Sequence, residues 1–86
     1  MSASADDFRR ELSKLLAAGA GLGFVAVDVN AGKLHRIVGD YPGPNHRMPV
    51  CCDVMRQTMA AGDEVVTQPP RGKGPRLTIR YQLPRR

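Results

Sequence analysis

Apolar positions recur with a helical period near the start of the chain, where Phe8, Leu12, Leu15 and Leu16 are spaced i, i+4, i+7 and i+8. Ser4 stands before this stripe as a cap, Asp6 and Asp7 lie where a helix dipole favours acids, and Gly19 is a natural stop. The spacing therefore predicts a helix over residues 5–18. "FVAVDV" follows, β-branched and almost continuously apolar, and reads as a strand over 24–29.

Residues 30–38, "NAGKLHRIV", open two readings. "NAG" could turn a hairpin into a second strand, but "LHRIV" does not alternate as a half-buried strand must. Leu34, Ile37 and Val38 are spaced i, i+3 and i+4, a helical face. The pattern predicts a helix over 31–38 with Asn30 as N-cap and Gly39 as C-terminal stop. In it Leu34, Ile37 and Val38 are expected inside, and Lys33 and Arg36 outside.

After the loop "GDYPGPNHR" a third helix is predicted over 47–60, with Pro49 tolerated in its first turn. Met48, Cys52, Met55 and Met59 fall on one side, with Cys51, Val54 and Thr58 flanking. Pro49, Val50, Asp53, Arg56 and Gln57 occupy the other. Strands are predicted over 64–68 and 76–83. In the second, Leu77, Ile79, Tyr81 and Leu83 point inward, and Arg76, Thr78, Arg80 and Gln82 outward. "PPRGKGP" joins these strands and is too long for a two-residue turn, so it reads as an extended hairpin tip carrying Arg71 and Lys73. The expectation is a single α+β domain over residues 1–86.

Composition narrows the class. A chain of 86 residues has room for one core, and 42% hydrophobic with 24% charged residues is the balance of a folded globular protein, too apolar for a disordered one. The apolar run 15–27 holds three glycines, follows an acidic helix start and is shorter than a membrane span. A cytoplasmic protein without a membrane segment is therefore expected. Adjacent Cys51 and Cys52 make no disulfide framework, which agrees with a reducing compartment.

The net charge of +5 is unevenly placed: five bases meet five acids in residues 1–43, whereas residues 44–86 carry eight bases and three acids. From Arg71 onward there are six bases and no acid, so an anionic partner would be met by the C-terminal half.

The two histidines and two cysteines reach the ligand count of a structural zinc, but neighbouring cysteines on a helix diverge by about 100° and do not converge on one ion. A thiol nucleophile would need an oriented base, and no third group stands at a recognisable spacing. "GAGLGF" lacks the lysine of a phosphate loop and precedes a strand. No enzyme activity, metal or cofactor is expected. Nucleic-acid binding needs a cationic surface and an element able to enter a groove, and both are present. Asp53, Arg56 and Gln57 project from the third helix, His46 and Arg47 lie at its start, and a basic hairpin follows.

The order helix, strand, helix, loop, helix, strand, basic hairpin, strand resembles the winged helix-turn-helix DNA-binding fold over nearly the whole chain. The runs "HRMPVCCDVM" and "LTIRYQLP" also resemble a small bacterial family, with no activity implied. The winged-helix resemblance implies that 30–38 is the supporting helix, about 46–60 the recognition helix and 69–76 the wing. His46, Arg47, Asp53, Arg56 and Gln57 would then face the major groove of double-stranded DNA, and Arg71, Lys73 and Arg76 a phosphate backbone or minor groove. "GDYPGPNHR" is longer than the three or four residues that usually join the two helices. The alternative is a protein-interaction or homodimerisation module, with the first helix's apolar stripe as its interface.

Overall fold

In the computed structural model, which describes all residues except Met1, Ser2, Asp40, Asn45 and Arg86, the elements run α1 (Ala5–Gly21), β1 (Ala26–Asn30), α2 (Ala31–Val38), α3 (Met48–Thr58), β2 (Glu64–Thr67) and β3 (Thr78–Gln82). The described residues form an α+β fold in which three helices pack together beside one antiparallel sheet of order β1-β3-β2.

α1 begins as its sequence dictates. The Asp7 backbone N–H donates to the Ser4 hydroxyl at 3.2 Å, and the Ser4 N–H donates to the Asp7 carboxylate at 2.9 Å, a reciprocal cap. Hydrogen bonding to Ser4 holds the Asp7 carboxyl below its usual pKa. The helix does not stop at Gly19 but continues to Gly21. Gly19 is buried there because a Cβ would lie only 3.0 Å from the Leu83 side chain, so the missing side chain admits a neighbour instead of ending the helix. β1 starts later than expected, at Ala26, and leaves Phe24 and Val25 in the connection, both exposed.

α2 is the helix its spacing predicts, and the Lys33 N–H donates to the Asn30 side chain at 3.1 Å as the cap requires. Gly39 ends it with φ at +120°, a backbone angle that favours glycine. Its inner face differs from the expectation by one residue: Leu34 is buried and Val38 partly so, but Ile37 is 54% exposed and His35 takes the inner position. α3 and β3 are each shorter at both ends than predicted, and β2 stops one residue early.

Phe8, Leu12 and Leu16 of α1, Leu34 of α2, and Cys51, Cys52, Val54 and Met55 of α3 meet Val29, Leu77, Ile79 and Tyr81 in one core. Strand register places Ile79 between Val29 and Val65 on the core face. One residue on, Arg80 lies between Asp28 and Glu64 on the outer face, donating to Asp28 at 2.8 and 3.1 Å and to Glu64 at 3.2 Å. The Arg80 hydrogen bond holds the Asp28 carboxyl below its ordinary pKa. No helix among the described residues is long and apolar enough to cross a membrane.

Candidate functional site

α3 carries most of the residues singled out above, and its ends are held by other elements. Arg47 stands at the N-cap without a side-chain cap bond. Imidazoles accept instead: the Arg47 N–H donates to Nε2 of His35 at 2.8 Å, and the Met48 N–H to Nδ1 of His46 at 3.4 Å. His35 is fully buried, edge-on to Phe8 at 4.8 Å between ring centroids and 5.2 Å from Tyr41. Since its Nε2 accepts, a neutral ring carries its proton on Nδ1, which is buried without a hydrogen-bond partner among the described residues. At the other end, the Tyr81 hydroxyl donates to the Met55 carbonyl and Nη2 of Arg85 to the Thr58 carbonyl, each at 2.7 Å. Carbonyls that a helix end leaves unpaired are thus satisfied from outside it.

The connection between β2 and β3 lies against both α3 and the first turn of α2. From α3, the Arg56 guanidinium donates to the Gly72 carbonyl, the Cys52 thiol to the Gly74 carbonyl at 3.5 Å, and the Asp53 carboxylate pairs with Lys73 at 3.0 Å. From α2, the Gly32 N–H donates to the Pro75 carbonyl at 3.1 Å and the Ala31 N–H to the Leu77 carbonyl at 2.8 Å. A Cβ on Gly32 would meet the Pro75 carbonyl oxygen at 3.1 Å, so glycine is what lets the connection come this close.

This docking sorts the predicted residues into two groups. Asp53 and Arg56 are half-buried and engaged with the loop, Lys73 is half-exposed beside Asp53, and their side chains shape the surface before any ligand arrives. Gln57 is exposed on α3, as are His46 and Arg47 at its start and Arg71 and Arg76 on the loop. The loop also encloses a concavity of about 340 Å³ lined by Pro69, Pro70 and Pro75 together with Arg71, Lys73 and Arg76.

Charge is distributed in a way the sequence tally hides. Among the described residues every acid is in an ion pair: Asp6 with Arg9, Asp7 with Arg10, Glu11 with Lys14, Asp28 and Glu64 with Arg80, Asp53 with Lys73, and Asp63 with Arg85. Three of these pairs lie within α1, so α1 neutralises itself, whereas Asp28, the other described acid of the front half, is taken by Arg80 from β3. The bases without an acidic partner among the described residues are Lys33, Arg36, Arg47, Arg56, Arg71 and Arg76. They stand on α2, on α3 and its start, and on the β2–β3 loop. The sequence pattern places Lys33 and Arg36 outside and goes no further. Their charge becomes visible once Asp28 is assigned to Arg80, a contact between residues 52 positions apart that no local spacing signals.

Cys51 and Cys52 are fully buried and donate to different carbonyls, Cys51 to that of Ala31 at 3.6 Å and Cys52 to that of Gly74. Burial pushes the Cys51 thiol up to about 12 and raises that of Cys52, so neither is poised as a thiolate. Among the described residues no group of three or more His, Cys, Asp or Glu side chains could hold a metal ion. In comparisons with protein-family models, curated proteins and solved structures, nothing matches this chain.

Proposed function

We propose that this chain is a non-enzymatic DNA-binding protein of the winged-helix kind. α3 and the residues that lead into it present Gln57, His46 and Arg47 to double-stranded DNA, and the β2–β3 loop sets Arg71, Lys73 and Arg76 against phosphates. The observation that carries this reading is the segregation of charge: each described acid is neutralised by a base, and the remaining bases gather on α2, α3 and the loop. A fold gains little by holding like charges together, whereas a polyanion gains affinity from them. The order α1, β1, α2, α3, β2, β3 supports the winged-helix reading. In this version the wing is fastened beside α3 by Arg56 and Asp53, and that fixes the distance between phosphate-contacting and base-contacting groups.

The test is binding to a short duplex across a range of salt. Wild type is expected to bind with a steep inverse dependence on salt. The Arg71→Ala/Lys73→Ala/Arg76→Ala variant should bind more weakly on every sequence, with a slope flatter by up to about 0.9 for each phosphate it no longer neutralises. Wild type without salt-sensitive affinity at moderate ionic strength, or a triple variant that binds as tightly, would refute the assignment.

A second reading has one specific observation in its favour. The apolar stripe of α1 is buried in the core and cannot serve as an interface, but Leu22, Phe24 and Val25, exposed by 73%, 54% and 79%, cluster in sequence between α1 and β1. If DNA binding fails, self-association or a protein partner through this turn takes first place, and that association would respond little to salt.

A further inference from the structure

The cationic surface does not end at the loop. Pro75 lines the proline-rich concavity described above, and it also lines a second one of about 230 Å³, together with Asn30, Gly32, Lys33, Arg36 and Tyr41. The two hollows therefore adjoin across a single proline, with loop cations on one side and α2 cations on the other.

The second hollow is built so that only side chains can recognise a ligand. The backbone N–H groups of the first turn of α2 are already engaged: Ala31 donates to Leu77, Gly32 to Pro75 and Lys33 to the Asn30 side chain. The Asn30 amide is used as well, donating to the Thr78 hydroxyl at 3.1 Å. What remains is Lys33 and Arg36, both exposed. Neither pairs with an acid among the described residues. The Arg36 guanidinium lies 5.8 Å from the Tyr41 ring centroid, so the aromatic face restrains a side chain that would otherwise sweep a wide volume.

We infer that Lys33 and Arg36 form a second phosphate-binding site, so that one strand of duplex DNA continues from the loop across Pro75 onto α2, with Tyr41 positioning Arg36. This rests on the DNA-binding reading above and extends it to residues on an element outside α3 and the loop. The complementarity is electrostatic: phosphates along a strand are regularly spaced anions, and the adjoining hollows offer cations in sequence along one surface. α1, whose charges pair among themselves, takes no part.

The experiment compares wild type, the loop triple variant and Lys33→Ala/Arg36→Ala on one short mixed-sequence duplex. It measures affinity across salt and maps the bound phosphates by ethylation interference. The α2 variant is expected to keep the wild-type thermal midpoint, since both side chains are exposed. It should bind roughly tenfold more weakly with a salt slope flatter by about 1.8, the equivalent of two phosphates. It should also lose interference at phosphates that the loop variant retains. An α2 variant that matches wild type while the loop variant is weakened would overturn this site and leave DNA binding intact. Absence of salt-sensitive binding by wild type would overturn the DNA-binding reading itself and this site with it.

Discussion

Nε2 of His35 accepts the backbone N–H of Arg47 at 2.8 Å, so an imidazole on α2 fixes where α3 begins. α3 has no side-chain cap from its own N-cap residue, and His35 is fully buried with its ring against Phe8. Replacing His35 by Leu should fill the space but leave the Arg47 N–H without its acceptor. A loss of about 1–3 kcal/mol is expected in urea unfolding. His35→Gln, which can still accept, should recover part of that loss. Equal destabilisation by both variants would mean that ring packing, not the hydrogen bond, is what α3 needs.

Asp63 contributes to the acid limit of the fold, alongside Asp7 and Asp28. Its side chain is fully buried and, although burial alone would raise its pKa, N–H donation from Gln82 and Ala60 and the Arg85 guanidinium hold the carboxyl below its usual value. A lowered folded-state pKa means that this contribution is complete above the unfolded carboxyl value, about 3.9, and is lost as pH falls through the folded one. Urea midpoints should therefore be flat near neutrality and drop below about pH 4. Asp63→Asn should cost about 2 kcal/mol at neutral pH and flatten the acid limb.

Gln57 and Arg56 are neighbours in sequence with different tasks. Gln57 is exposed, whereas Arg56 holds the Gly72 carbonyl. Gln57→Ala should leave stability unchanged and, under the DNA-binding proposal, reduce discrimination between duplex sequences. Arg56→Ala should instead release the loop, read as faster amide exchange around Gly72 and Gly74, and weaken binding to all sequences alike.

Gly32 is where the loop can be pushed away. A Cβ there would meet the Pro75 oxygen, the Pro75 Cβ and the Asn30 side chain at 3.1 to 3.2 Å, and proline cannot rotate clear. Alanine gains about 1 kcal/mol of helix propensity, but the overlap costs about 1–3 kcal/mol. Gly32→Ala should thus lower stability by about 1 kcal/mol net and shift the amide resonances of the loop.

The elements legible in the sequence are those fixed by local chemistry. Ser4 with Asp7, Asn30 with Lys33, and the alternation of Leu77, Ile79 and Tyr81 each announce their structure within a few residues. α2 shows the limit. Hydropathy places Ile37 inside and says nothing of His35, yet Ile37 is exposed and His35 buried, because a partner twelve residues away in sequence satisfies the imidazole. Gly19 looks like a stop in the sequence because the Leu83 side chain that occupies the space beside it is far along the chain. At the candidate site, the loop cations Arg71, Lys73 and Arg76 follow from the uneven charge tally, whereas Lys33 and Arg36 are hidden by it. The engagement of Asp53 with Lys73 and of Arg56 with Gly72 is hidden as well, since it depends on a loop folding back by sixteen to twenty residues.

α3 is held at its start by His35 and at its end by Tyr81 and Arg85, three side chains from outside the helix. Its inward residues and these outside anchors fix its axis and rotation, and its outermost positions contribute to neither. Pro49 and Gln57 are accordingly exposed display positions on a rigid mount, and substitutions there, proline at position 57 excepted, should leave the protein folded. α3 is in this sense a cartridge: new surface chemistry can be loaded without redesigning the chassis that aims it.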